Sequence, residues 1–234
     1  MSAMQENISV LRFALAEAER ERDAALARLE QAQDDRQNER REDQHDLRNL
    51  LAVVRAIARR SADGAETVDE YAAVLDGRLS AYLHVQAAIA RDPARCVDLL
   101  TLVADELLRF GIKVGEGAAL DGPPVLLTGR TAGLMALAFH DLAVELVPDA
   151  APGADQEVVR VAWRSDPEAR QLVIDWTAPR GSHADDAARW SSWVEQALQH
   201  QLDAAITRSE GEGARSAEFR LPAICWRADD GAGV

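Results

Sequence analysis

The segment from His45 to Arg59 constrains this chain more than any other stretch, because its apolar residues follow a helical repeat. Residues three and four apart lie on one side of a helix, so the apolar side chains form a single stripe suited to burial. A second stripe begins at an imidazole and continues through an amide and two small side chains. The apolar stripe consists of Leu47, Leu50, Leu51, Val54, Ile57 and Ala58, and the second stripe of His45, Asn49, Ala52 and Ala56.

The residues before His45 predict one long helix. They contain no Gly or Pro and are rich in Glu, Arg, Asp and Gln, a composition that favours a solvated helix. Apolar residues lie close to a heptad series, with Arg22 as a polar exception. We expect a dimeric coiled coil; the alternative is one amphipathic helix packed on its own domain. The series comprises Ile8, Leu11, Leu15, Ala18, Ala25, Leu29 and Ala32, lapses over 34–44 and resumes at Leu47.

A second helix is predicted after the turn at 61–65. Thr67 and Glu70 have the spacing of a capping box, in which each side chain bonds the backbone of the other. An apolar face follows, which would pack against the first helix as an antiparallel partner. Two such helices cannot enclose a core, but two copies make a four-helix bundle. The face comprises Val68, Tyr71, Leu75, Leu79, Tyr82 and Ile89.

From about Cys96 the pattern becomes mixed α and β. A helix and a Gly/Pro-rich stretch over 111–124 precede a strand and another helix. Strand signals follow at 158–163 and 171–176, then a helix around 190–205 and a last strand at 217–221. The fold class predicted is α+β, with boundaries 1–38 for the coiled coil, 39–94 for the helical hairpin and 95–234 for an α/β sandwich.

Composition excludes several classes of partner. A net charge of -14 argues against nucleic acid and against an anionic membrane surface, because both need a basic face. Two distant cysteines, Cys96 and Cys225, form neither a metal pattern nor a disulfide framework, which indicates a reducing compartment. No apolar run reaches the length of a bilayer span and no signal peptide is present, so we expect a cytoplasmic protein.

The His45–Arg59 segment resembles the acceptor box of bacterial sensor histidine kinases, most closely that of the HWE and related families. Other segments resemble further parts of those kinases, in order and at family spacing over roughly residues 40 to 225. The matching segments are Gly77–Ala81 for the second bundle helix, Asp98–Gly111 for the first helix of the catalytic domain, Gly122–Leu127 for a strand and Ala136–Ala143 for the N-box helix. A surface helix with an incidental histidine is the ordinary alternative.

The resemblance implies an acceptor role for His45. Asp46 would accept the Nδ1–H of His45 and leave Nε2 as the nucleophile, and Asn49 would contact the phosphoryl group or an attacking water. Small side chains below the histidine would let a receiver domain lie close to the helix. The predicted docking residues are Arg48, Ala52, Ala56 and Arg59.

The same resemblance predicts a damaged nucleotide site. Glu145 stands where the family has a magnesium-binding asparagine, and a carboxylate there adds charge beside an anionic triphosphate. Where the family has an acid followed by glycines, the chain has Asp175–Gly181, which includes Ala178; Pro179 and one glycine replace the usual run of glycines. Ala188 and Trp190 replace the glycines of the phosphate loop, where a large ring would block the backbone.

An intact acceptor beside a damaged nucleotide site is similar to the dimeric histidine phosphotransferases. The sequence therefore predicts a phosphotransferase that carries a phosphoryl group on His45 to and from receiver aspartates, without ATP-dependent autophosphorylation. Its partners would be receiver domains of a response regulator and of an upstream hybrid kinase, and a second copy through the bundle. No cofactor or metal is expected, since ATP binding is predicted lost and the receiver would hold its own magnesium. The alternatives are a scaffold, a phosphatase using Asn49, and an active kinase with an atypical nucleotide site.

Overall fold

The computed structural model describes residues 2–63, 65–91, 96–144, 159–179, 192–211 and 214–229. The chain divides into two compact units, Met1–Ala56 and Ile57–Val234, and each is described by itself. The predicted domain boundaries at 38/39 and 94/95 stay predictions.

Helix α1 spans Ser2–Arg60. Its residues up to Ala56 belong to the first unit, and its last four residues belong to the second unit. Strong helix formers fill it, so the lapse of the apolar series over 34–44 does not interrupt the helix. Arg59 and Arg60 in the last turn complement the helix dipole. Apolar side chains remain exposed along α1, with Leu26 at 51%, Leu29 at 55%, and Leu47 and Leu51 at 56% each.

Helix α2 spans Val68–Ile89 and begins with the predicted capping box. The Glu70 amide donates to Thr67 Oγ1 at 3.1 Å, and the Thr67 amide donates to the Glu70 carboxylate at 3.3 Å. Of the predicted apolar face, Tyr82 is buried and Val68 is 81% exposed, while the other four members are half-buried. Arg78, only 6% exposed, was not predicted to be buried. The buried residues of α2 are Arg78, Ala81, Tyr82 and Val85.

The rest of the second unit alternates strands and helices. In chain order these are β1 Cys96–Asp98, α3 Leu99–Arg109, β2 Ala118–Asp121, β3 Val125–Thr128, α4 Gly129–Val144, β4 Val159–Asp166, β5 Gln171–Pro179, α5 Ser192–Leu202, β6 Ala205–Glu210, β7 Ala214–Pro222 and β8 Trp226–Ala228. Among the described residues, one sheet has the order β2-β4-β5-β7-β6 and a smaller one the order β1-β3-β8. Strands β2 and β4 pair in parallel, and the other pairs are antiparallel.

The core lies between the larger sheet and helix α4. Alternate residues of β4, β5 and β7 are buried, as expected for strands with one face covered. Helix α4 is buried from Thr131 to Ala143. Its Phe139 ring stacks on Trp176 with centroids 5.9 Å apart and meets Phe219 edge-on at 6.2 Å. This packing fixes the carboxyl end of α4 beside the ends of β5 and β7.

The predicted α+β pattern is confirmed, including strands at β4, β5 and β7 and a helix at α5. The strands β1, β2, β6 and β8 were not predicted. The coiled coil and the dimeric bundle concern a second molecule and stay predictions. Across the described ranges, no helix combines the length and apolar character needed to cross a bilayer.

Candidate functional site

The predicted acceptor segment lies on α1 with its polar stripe accessible. The side chains of His45, Asn49 and Ala52 are exposed, and Ala56 is half-buried. These residues follow one another at helical steps of four, three and four along the same side of α1. An exposed imidazole on a rigid helix is a nucleophile that a second protein domain could reach. Arg48 and Arg59 are also exposed, while the side chain of Asp46 lies outside the described part of the structure.

A small, partly open cavity lies at the carboxyl ends of α4 and β5, in the second unit. Strand alternation places Trp176 and Ala178 on the face of β5 that α4 covers. Arg215 lies opposite Ala178 on β7, and Arg208 on β6 lies opposite Ala217. The lining residues are Leu142, Trp176, Ala178, Pro179, Arg208, Arg215, Ser216 and Ala217. Guanidinium groups in such a wall favour an anionic ligand.

The residues predicted for the nucleotide site do not all lie on the same face of β5. Ala178 lies in the cavity wall, so a methyl group stands there where the family resemblance places an acid or a glycine. Asp175, three residues earlier, lies on the opposite face of β5. Its carboxylate accepts a hydrogen bond from Arg164 of β4, on the side of the sheet away from α4. None of the described cavity residues is therefore acidic.

Glu145, Ala188 and Trp190 fall in 145–158 and 180–191, outside the described residues. Their predicted effects on nucleotide binding stay predictions. In the part of the chain that is described, no group of three or more His, Cys, Asp or Glu side chains could hold a metal ion.

A buried polar cluster, missed in the sequence, joins α2, α3 and α4. Arg78 of α2 donates from Nε and Nη2 to the two carboxylate oxygens of Asp141, at 2.9 Å and 3.1 Å. Beside this pair, His140 Nδ1 lies 2.7 Å from Glu106 Oε1 of α3, and Arg109 Nε lies 3.5 Å from the other Glu106 oxygen. The signal was available: His140 and Asp141 interrupt an apolar helix, and buried charges need partners.

Comparison with known proteins links these features to one family. Residues 42–124, which include the acceptor segment and α2, match the HWE histidine kinase family. Blue-light-activated histidine kinases of Brucella ovis and Brucella canis are 22% identical to the chain over 151 residues. That alignment covers 64% of this chain and 31% of each relative, so the chain spans less than a third of their length.

The fold has a counterpart among solved structures. The histidine kinase domain of the Erythrobacter litoralis EL346 blue-light-activated histidine kinase superposes with a TM-score of 0.51 at 14% identity. The match covers 75% of this chain and 84% of that domain, and it shows a shared fold. The sequence and family matches together are similarities to HWE-type and blue-light-activated histidine kinases.

The prediction of a phosphotransferase without ATP-dependent autophosphorylation is wrong. The family match and the histidine kinase relatives point to a sensor histidine kinase, which was one of the alternatives to the phosphotransferase. Substitutions in a binding loop change affinity, but they do not by themselves identify another reaction.

Proposed function

We propose that this chain is an HWE-type sensor histidine kinase module that phosphorylates His45 from ATP through an atypical nucleotide site. The observation that carries the proposal is the family match over residues 42–124, a range that includes the exposed His45. The shared kinase-domain fold supports it independently.

The chemistry follows from an exposed imidazole. His45 Nε2 attacks the γ-phosphorus of ATP, the bond to the β–γ bridging oxygen breaks, and ADP leaves with the released charge. Asp46 is proposed to accept Nδ1–H, which fixes the tautomer with the lone pair on Nε2. Asn49, one turn further along α1, is proposed to contact the phosphoryl oxygens.

The cavity between α4 and the sheet is the proposed nucleotide site. Arg208 and Arg215 suit phosphate oxygens, whereas Ala178 supplies no acceptor for an adenine amino group. We therefore expect weak binding of ATP with reduced preference for adenine. The predicted complete loss of ATP binding is the competing outcome, and it would also end the kinase proposal.

The proposed partner is the receiver domain of a response regulator. Arg48, Ala52 and Arg59 are exposed on the acceptor helix, where small and basic side chains suit close approach of an acidic receiver. The receiver would supply its own aspartate and magnesium. An upstream hybrid kinase, which the phosphotransferase would need as its phosphoryl donor, is not proposed, because here the donor is ATP.

A second copy of the chain is the proposed partner of the leucines on α1. Leu47 and Leu51 are each 56% exposed and one turn apart, next to the acceptor. A four-helix bundle built from two copies would cover them.

The test is labelling with ATP carrying a radioactive γ-phosphate. Wild type and the control His84→Gln should gain acid-labile label, because His84 is an exposed histidine of α2 outside the acceptor stripe. His45→Gln should gain none. Label on the His45 variant would refute the acceptor assignment, and absence of both label and ATP binding in the wild type would refute the kinase.

The docking surface is tested separately with Ala52→Arg. Labelling by ATP should be unchanged, while transfer to a receiver should fall about a hundredfold, because a shift of about 1 Å in reacting atoms costs that much in rate. Unchanged transfer would refute the docking surface and leave the acceptor assignment intact.

A further inference from the structure

Helices α2 and α4 approach each other closely at two glycines. A Cβ on Gly77 of α2 would lie 2.7 Å from Nε2 of His140, and one on Gly133 of α4 would lie 2.8 Å from the Tyr82 ring. Real Cβ contacts are not this short, so both positions need glycine for the helices to pack as they do. We name Gly77, Arg78, Tyr82, Gly133, His140 and Asp141 the α2–α4 joint.

The joint contains a fully desolvated ion pair. The side chains of Arg78 and Asp141 are 7% and 4% exposed, and both carboxylate oxygens accept from the guanidinium. Apolar residues of similar volume would hold two helices together at least as well. The bidentate pair differs in being directional, since it is satisfied at one relative position of the two helices.

The other side of α4 reaches the cavity. Leu142, the residue after Asp141, lines the cavity, and Phe139 stacks on Trp176, which lines it too. Helix α4 is buried along this part of its length and close-packed against its neighbours. It lies between α2 on one side and the cavity on the other.

We propose that the Arg78–Asp141 pair is a positioning contact, which couples the second hairpin helix to the nucleotide cavity and sets the rate of phosphorylation. The proposal rests on the proposed function, because it assigns the cavity to the nucleotide. Helix α2 follows the acceptor helix after a short turn in sequence, and the joint holds α2 against α4.

The first measurement is the rate of ATP labelling, corrected for the folded fraction of each variant. Arg78→Lys keeps the charge and loses the two-pronged geometry; Arg164→Lys is the matched control, in an ion pair on the outer face of the sheet. For Arg78→Lys we expect a fall of about tenfold to a hundredfold in the rate at saturating ATP. The ATP concentration at half-maximal rate should change less than twofold. A rate per folded molecule equal to wild type, or higher, would overturn the positioning role.

A charge swap tests the pair itself. Arg78→Asp and Asp141→Arg should each lose most activity, and the double variant should recover part of it. If the double variant has the same residual rate as the two single variants, the two residues do not act as a pair, and the proposal is overturned.

Hydrogen exchange separates this inference from the proposed function, because it needs no activity. In Arg78→Lys we expect faster amide exchange in α2 and also at Trp176–Ala178, which lie on β5 beyond α4. Faster exchange confined to α2 and Asp141 would overturn the coupling, even if wild type is phosphorylated. If Arg78→Lys speeds exchange in both regions while the wild type takes no label from ATP, the joint is supported and the kinase is refuted.

Discussion

Helices α1 and α2 are neighbours in sequence, but α1 exposes apolar side chains whereas α2 buries a charged one. Helix α1 leaves Leu47 and Leu51 each 56% exposed, whereas α2 buries Arg78 to 6% exposure. The difference follows from what lies against each helix: Asp141 of α4 pairs with Arg78 within the chain, while a second copy of the chain is the proposed cover for the leucines. Hydropathy alone therefore predicts burial poorly, because the partner of a helix decides which residues it hides.

The largest expected effect concerns the buried charge. Arg78→Ala should lower the free energy of unfolding by about 3–5 kcal/mol, because Asp141 would remain buried without its counter-charge. Chemical denaturation of the full chain measures this. Arg60→Ala is the control, since the Arg60–Asp63 pair has side chains 53% and 66% exposed and should cost less than about 1 kcal/mol. Equal costs would show that burial does not distinguish the two helices.

The next effect concerns the leucines of α1. If a second copy covers them, Leu51→Ala should destabilise the dimer by about 2 kcal/mol, the lower end for a buried leucine. Leu108→Ala in α3 removes a leucine of the same 56% exposure outside the predicted bundle and should change stability little. Unfolding is followed at several protein concentrations, since a dimer unfolds at higher denaturant when concentrated. Independence from concentration would argue against the dimer.

The direction of the stability change on replacing Gly77 tests how closely α2 and α4 pack. In an exposed helix, replacing glycine by alanine stabilises by about 1 kcal/mol. Here the added methyl would meet the His140 ring, so Gly77→Ala should instead destabilise by about 1–3 kcal/mol. Ala73→Gly, at an exposed position of α2, measures the propensity effect alone. A stabilised Gly77 variant would mean that α2 and α4 separate easily.

The smallest effect is expected at alkaline pH. Burial raises the pKa of Tyr82 above its ordinary 10.0 and that of Cys225 above its ordinary 9.0. Since the neutral forms are favoured in the fold, their contribution is complete below those ordinary values and is lost as pH rises through the higher folded values. Denaturation at neutral pH and above pH 10.0 measures the loss. Tyr82→Phe should reduce it, while Tyr71→Phe, at a half-buried position, should reduce it less.

Local signals predicted local structure well. The Thr67–Glu70 spacing gave the start of α2, and alternation of apolar residues gave strands β4 and β5. The same alternation could have placed Asp175: Ile174 and Trp176 flank it and are buried, so Asp175 must point to the other face. A motif resemblance alone does not indicate which side of the strand Asp175 occupies.

Local sequence patterns do not predict contacts between residues that are distant in sequence. Arg78 and Asp141 are 63 residues apart, and a helical repeat does not identify which distant helix a face will meet. The capped, amphipathic α2 was assigned an apolar face for its neighbour α1, whereas Tyr82 and Arg78 face α4. The acceptor assignment needed only residues close in sequence, and it stays a prediction that labelling of His45 will decide.

The separation of Arg78 from Asp141 also has a consequence during translation. A ribosome adding about 5–20 residues per second needs about 3–13 seconds to add the 63 residues from Leu79 to Asp141. During that time α2 has already been made, but burying its arginine would leave an uncompensated charge. The nascent helix therefore has a reason to stay solvated until α4 has emerged, and the hairpin should complete its packing only after the catalytic domain begins to fold.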